Sequence, residues 1–343
     1  MDRETVAAFR EAAARFAEGT VRPMVGTEGR DGDLGRVAAV FEAALEAGLA
    51  ASPDPEAPGY DYGVWGSASR GEGAAGSVAV LEALAAECAG VAAAIHAVGL
   101  GCLALPAPRA IRPAAAFLPA DGRGAGFPAL GPEVRAWRPV LLPPGCDAVV
   151  LYTGGTEKRL VPLDDPALEV ADLAPRTGLA AVRIVELSAA GPSPGEALPP
   201  GPPEPVATAW LVGLAAIAAG TAAGALRTAL AHARERVQGG RPIAGHPAVG
   251  LLLGDAASRV EAAHAHLEAL GGTAPDVDAA MAARLRIVEA AFEATTDALQ
   301  VLGGYGYMED YRVEKRLRDL MTLRSLAPAP DALRLGLAAR AAR

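Results

Sequence analysis

The sequence predicts a mainly α protein with a small β unit, laid out as helices, then strands, then helices. Three observations carry that expectation. The hydrophobic share is 51% but aromatics are only 4%, so Ala, Leu and Val supply most of the apolar content. Ala and Leu lose little side-chain entropy in a helix, which makes long packed helices the first expectation. Pro and Gly, which helix interiors exclude, crowd the stretch from Pro106 to Pro205. Beyond Val206 apolar residues return at helical spacing and persist almost to the end. This order excludes a doubly wound nucleotide fold, in which strands and helices alternate throughout.

Residues 1–105 read as an N-terminal helical domain. A first amphipathic helix runs from about Arg3 to Glu18 and stops before Arg22-Pro23, since a proline ring clashes with the preceding turn. A second covers Leu34 to Gly48, with Val37, Val40, Phe41, Ala44 and Leu45 forming a helical stripe. The Pro- and Gly-rich loop SPDPEAPGYDYG follows, and then one long helix from about Ser77 to Leu105. Residues 106–205 read as a reduced β domain and linker. The runs RPVLL, DAVVLYTGG, KRLVPL and AAVRIVEL, each bounded by turn residues, predict a small antiparallel sheet unit. The stretch 106–133 is too poor in β-branched residues to assign, and AGPSPGEALPPGPPEP has the composition of a linker. Residues 206–343 read as a C-terminal four-helix bundle, with helices at 206–237, 247–270, 275–302 and 311–323. A short terminal helix follows, its basic end complementing the helix dipole.

Charge and cysteine usage narrow the function. The formal net charge is −9, and no concentrated basic face is evident, so nucleic acid is not an expected partner. Cys88, Cys102 and Cys146 form no paired motif, as in a reduced cytoplasmic protein with buried thiols. His264 and His266 stand two apart and diverge on a helix, so no metal site is expected. The opening MDRETVAAFREAAARF lacks the basic and apolar regions of a secretory signal. The longest apolar run, Leu211 to Leu226, is shorter than the ~20 residues that span a bilayer and reads as the central helix of a bundle.

The strongest local signal is LQVLGGYGYMEDYRVEKRLRDL, residues 299–320. It resembles the C-terminal signature of the FAD-dependent acyl-CoA dehydrogenases, a Gln-x-x-Gly-Gly-x-Gly turn leading into Tyr-x-Val-Glu-x-x-x-Arg-Asp. ARERVQGGRPIAGHPAV, residues 233–249, is similar to that family's Arg-x-x-Phe-Gly-x-Pro-Ile segment, and RPMVGTEGRDGDLGRVAAVFEAALEAGLA resembles its opening helices. The resemblance implies an acyl-CoA dehydrogenase-like fold and FAD as cofactor. It also implies that Arg236, Gln300, Gly303 and Gly304 reach the FAD of a neighbouring subunit, and hence an oligomer. The residue types suit that task. Arginine offers charge and a donor fork to a pyrophosphate, and glycines let the backbone approach closely.

The family's base is missing from both places where the resemblance puts it. Its usual Glu, just after the Arg-Asp pair, corresponds to Ala327, and the alternative position on the long helix corresponds to Trp210. Neither takes a proton, so no catalytic residue is assigned. Asp331 lies four residues past Ala327 and is the nearest substitute, while Glu309, Asp310 and Glu314 read as partners for nearby arginines. Gly239 stands where the family has an aromatic, and the usual flavin-facing β motifs have no match in 106–150. Three readings follow. The favoured one is a base-lacking subunit of a heteromeric acyl-CoA dehydrogenase, completing the FAD site of a chain that dehydrogenates an acyl-CoA thioester. The others are a self-sufficient flavoenzyme, as a dehydrogenase with a relocated base or an oxidase or monooxygenase relative, and a non-catalytic oligomerisation scaffold.

Overall fold

A computed structural model describes residues 1–25, 34–52, 54, 56, 63–66, 71, 73–107, 109–117, 134–174, 176–190, 194–272, 276–326 and 328–342. The chain begins with α1 (Arg3–Phe16), capped by Asp2, whose carboxylate accepts the Thr5 N–H at 2.8 Å. The expected stop before Pro23 is overturned. A π-helical turn over Ala17–Val21 carries the chain into α2 (Arg22–Val25). Within it the Arg22 N–H bonds to the Ala17 carbonyl, and that wider spacing makes room for a proline that has no N–H to donate.

Next come α3 (Leu34–Glu46), α4 (Ala75–Ala85) and α5 (Ala89–Ala104). The last two replace the single helix expected over 77–105. The break has a tertiary cause. Cys88 is extended, and Glu87 points inward to receive Arg22 at 2.7 and 2.8 Å together with Arg227. The Ala86 carbonyl, freed from the helix, accepts from Arg316 at 3.0 Å.

Among the described residues the middle of the chain forms seven strands: β1 (Pro113–Phe117), β2 (Val134–Leu142), β3 (Ala148–Gly154), β4 (Glu157–Pro162), β5 (Leu168–Asp172), β6 (Arg183–Ala190) and β7 (Glu196–Leu198). They make two sheets, of order β1-β3-β4-β7 and β2-β6-β5, where one antiparallel unit was expected. Most pairings are antiparallel, but β1 lies parallel to β3, in register from Pro113 opposite Ala148. Strand β7 falls inside the segment expected to be linker. The two sheets bury a shared core of Trp137, Val140, Leu142, Val149, Leu151, Val161, Val185 and Leu187. Alternate residues of β3 and β4, Val150, Tyr152 and Leu160, join the helical core instead. Burial on both faces explains why β3 reads as an unbroken apolar run.

The C-terminal part is built on α6 (Glu204–Glu235), which ends in a small hairpin of β8 (Val237–Gln238) and β9 (Arg241–Pro242). Then come α7 (Pro247–Gly271), α8 (Val277–Leu302), α9 (Val313–Ser325) and α10 (Pro330–Ala341). By length and composition α6 could cross a membrane, yet 89% of its most apolar window is buried inside the protein. Its small residues let neighbours come close. A Cβ added at Gly220 would sit 2.1 Å from the Glu82 carbonyl oxygen, so only glycine admits α4 at that depth.

Candidate functional site

Two places decide what this chain can do. The first lies at one end of the bundle, where α6 and α8 stop side by side. Arg236 closes α6, its N–H donating to the His232 carbonyl at 2.8 Å while its backbone turns extended to enter the hairpin. Its guanidinium lies over the Tyr305 ring, 5.4 Å from the centroid. Gln300 and Gly303 stand at the end of α8, and Gly304 follows; Arg236, Gln300, Gly303 and Gly304 are all exposed. Gly303 has φ +56, and a Cβ at Gly303 or Gly304 would meet nothing within 4 Å, so the turn is bare backbone facing solvent. The structure therefore brings the four expected residues to one surface.

The charge at this surface comes from Arg236. The end of α8 presents carbonyls, the negative pole of its dipole, which alone would repel an anion. Among the described residues no carboxylate pairs with the Arg236 guanidinium. An exposed, unpaired guanidinium beside an open glycine turn fits the diphosphate of a dinucleotide. Gly239, where the resemblance expects an aromatic, has its own backbone reason. Gly239 and Gly240 have φ +59 and +79 and form the tight turn between β8 and β9, which demands left-handed residues. His246 Nε2 meets the Gln238 carbonyl at 3.0 Å and holds that hairpin in place.

The second place is the interior around Trp210. Trp210 is buried on α6 and stacks on His96 of α5, with centroids 5.8 Å apart and planes at 24°. His96 is buried in turn and accepts from the Trp65 indole N–H at 2.9 Å. Because Nδ1 accepts, the proton of the neutral ring belongs on Nε2. Burial drives the imidazole down to about 3, the Trp210 backbone opposing it only weakly, so His96 is neutral and a poor base. Gly213 makes the stack possible, for a Cβ there would lie 2.2 Å from the ring. Trp65 itself holds φ +75, a left-handed conformation fixed by Ser77 Oγ, which accepts its N–H at 2.7 Å.

Among the described residues no buried carboxylate stands free to serve as the missing base. Among the described residues the buried carboxylates are Glu82, Glu87 and Asp319. Each is ion-paired: Glu82 with Arg10 at 3.0 Å, Glu87 with Arg22 and Arg227, and Asp319 with Lys315 at 2.8 Å. Asp319 also accepts the Leu179 N–H at 2.7 Å, tying α9 to the β region. Asp331 is 91% exposed and paired with Arg334, far from the dry setting that poises a general base. Glu314 pairs with Arg318, as expected, whereas Glu309 and Asp310 lie exposed. Ala327 lies outside the described residues. His264 Nδ1 meets the Glu82 carboxylate at 3.2 Å. Burial pushes the thiols of Cys102 and Cys146 up to about 12, so neither is a ready nucleophile.

Residues 212–341 match the family model described as acyl-CoA dehydrogenase, C-terminal domain. An acyl-CoA dehydrogenase of Bacillus subtilis (strain 168) is 44% identical over 113 residues, a stretch covering 32% of this chain and 30% of that relative. The chain thus spans under a third of the length of the curated relatives it matches. As a fold it is similar over its whole length to butyryl-CoA dehydrogenase from Megasphaera elsdenii, with TM-score 0.77, 20% identity and 100% of both chains covered. It is likewise similar to a glutaryl-CoA dehydrogenase from Mycobacterium smegmatis in complex with FADH2, with TM-score 0.76, 15% identity and coverage of 99% and 95%. The fold is that of the acyl-CoA dehydrogenases. Residues 212–341 are thus similar to the C-terminal domain of acyl-CoA dehydrogenases, and the similarity of the rest of the chain is one of fold.

Proposed function

We propose that this chain is a base-lacking subunit of a heteromeric acyl-CoA dehydrogenase, completing the FAD site of a partner chain that carries the catalytic carboxylate. The observation that carries the reading is the pairing of two facts. The Arg236 guanidinium stands exposed and without a carboxylate, while every buried carboxylate among the described residues is held in an ion pair. Among the described residues this arrangement offers an anion site and no unpaired buried carboxylate. Arg236 and Gln300, with the backbone at Gly303 and Gly304, would hold the diphosphate end of the cofactor. FAD, when bound, supplies the acceptor for hydride leaving an acyl-CoA thioester. This chain's contribution is charge and hydrogen bonds at the far end of that cofactor. Trp210 supports the same reading, since the place where the resemblance allows a second base is filled by a dry aromatic stack.

The test is flavin content and turnover of the chain purified alone, with and without added FAD. Little retained flavin and no reduction of a dye acceptor by acyl-CoA are the expected results. One flavin per chain with acyl-CoA turnover overturns the reading and makes the chain a self-sufficient enzyme. Neighbouring reading frames then identify the partner, by a Glu in the position that Ala327 occupies here.

A further inference from the structure

Behind the Arg236 surface lies a ring cluster whose residues the functional reading does not use. His232, one turn before Arg236 on α6, meets Tyr305 at 5.6 Å between centroids and Tyr311 at 5.7 Å. Tyr305 and Tyr311 close the triangle at 5.7 Å, with planes at 63°. Tyr311 comes from the turn before α9, so three separate segments converge on one ring contact. Tyr305 is 42% exposed, and apart from these contacts its ring has the Arg236 guanidinium over it.

We infer that His232 is a positioning residue for anion binding: it holds Tyr305 beneath the Arg236 guanidinium and so fixes where that charge is presented. The inference rests on the proposed role of Arg236, and it extends the site to Tyr305 and His232. The physical argument is one of preorganisation. An exposed arginine without a carboxylate partner samples many rotamers, and ordering it on binding costs affinity. A tyrosine face under the guanidinium narrows that sampling by a cation–π attraction. The tyrosine sits in a single short 3-10 helix (Gly303–Tyr307) after α8, outside the bundle's α-helices, so it gains from support of its own. His232 and Tyr311 give that support through ring contacts rather than hydrogen bonds. The ligand class is an adenosine diphosphate moiety, whose phosphates suit the guanidinium and whose base suits the exposed tyrosine.

The experiment is titration of the full chain with ADP, the diphosphate half of the dinucleotide, by calorimetry on wild type and variants. Arg236→Ala should weaken ADP on the order of ten-fold or more, as loss of a charge-assisted bond does. His232→Ala should weaken it about two- to five-fold, the scale of one exposed cation–π contact. His232→Phe, which keeps the ring, should restore it. In a Tyr305→Ala background His232→Ala should change nothing, because its effect passes through Tyr305. If Arg236→Ala weakens ADP but His232→Ala does not, or if the two losses add in the Tyr305→Ala background, the His232 inference fails and the Arg236 site stands. If wild type binds no ADP, or Arg236→Ala leaves binding unchanged, both fail.

Discussion

Trp210 lies flat against His96, centroids 5.8 Å apart, at the helix position where the family resemblance allows a catalytic carboxylate. The contact is held from two more directions, since the Trp65 indole N–H donates to His96 Nδ1 and Gly213 leaves the space for the ring. Putting a carboxylate back is therefore not a simple restoration. In Trp210→Glu the new side chain enters a buried site, and a large ring is lost. We expect no acyl-CoA oxidation and a destabilisation of about 3–5 kcal/mol. Urea unfolding and dye reduction with an acyl-CoA check both, and a gain of turnover would show that the position still faces a competent flavin site.

His96 also predicts an acid limb in the stability of the wild type. Its folded value is about 3, and in the unfolded chain it takes the ordinary value near ~6.5. Between these values the unfolded state binds the extra proton, so stability is complete above pH ~6.5 and falls as the pH drops. The slope from this group is about 1.4 kcal/mol per pH unit, or about 2 kcal/mol at pH 5. His96→Phe should lose about 1–3 kcal/mol at pH 7.5, because the Trp65 indole N–H is left without its acceptor. On acidification the gap between the two proteins should narrow. Denaturant midpoints at pH 5 and pH 7.5 measure it, and a constant gap would mean that His96 takes up its proton as readily in the fold as in the unfolded chain.

What was legible in the sequence and what was not divides along one physical line. Helix α6 and the end of α8 follow from local pattern, an apolar run in one case and a glycine turn in the other. Arg236 and Gln300 were singled out for the same reason, as each sits in a short motif. The break between α4 and α5 has no local signal. It depends on Glu87 meeting Arg22 and Arg227, which lie 65 and 140 residues away. Strand β1, the Ala-rich PAAAF, has almost no β propensity of its own and forms because β3 pairs with it. His232 and Tyr311 gained meaning only when three segments met. The His96 stack was hidden similarly, since Trp65, His96 and Trp210 belong to three distant segments.

Glu82 and His264 couple α4 to α7, with Arg10 of α1 on the other carboxylate oxygen at 3.0 Å. The hydrogen bond to Glu82 raises His264 above its ordinary value, with burial opposing it. A raised folded value means that the stabilisation is fully present below pH ~6.5 and is lost as the pH rises through the folded value. The His264 side chain is a third exposed, so the effect is screened to about 1 kcal/mol or less. His264→Gln should thus be less stable than wild type at pH 6 and nearly equal to it at pH 9. Thermal melts at both pH values check this, and an equal loss at both would assign His264 to packing alone.

The largest single stability effect is expected at Glu87. Its side chain is 3% exposed and is shared by Arg22 and Arg227, with Arg316 close behind on the Ala86 carbonyl. Burial alone would raise the carboxyl. The Arg22 hydrogen bonds and the charges of Arg227, Arg22 and Arg316 outweigh burial and hold it below the usual carboxylate range. Arg316 is drawn down to about 10, chiefly by burial, against the pull of Glu87. Removing the carboxylate leaves these guanidiniums facing one another without a counter-charge, which costs about 3–5 kcal/mol for a buried pair. Because the folded value is depressed, the stabilisation is present above the ordinary value near ~4.3 and is lost as the pH falls through the lower folded one. Glu87→Ala should therefore unfold at a much lower urea concentration than wild type at pH 7, with the difference shrinking towards pH 3. Glu87→Gln keeps the shape and some hydrogen bonds, so its loss should be smaller while its acid limb is flattened in the same way. If Glu87→Gln matched wild type at pH 7, the junction between α4 and α5 would be held by hydrogen-bond geometry, and the charge of Glu87 would be incidental to it.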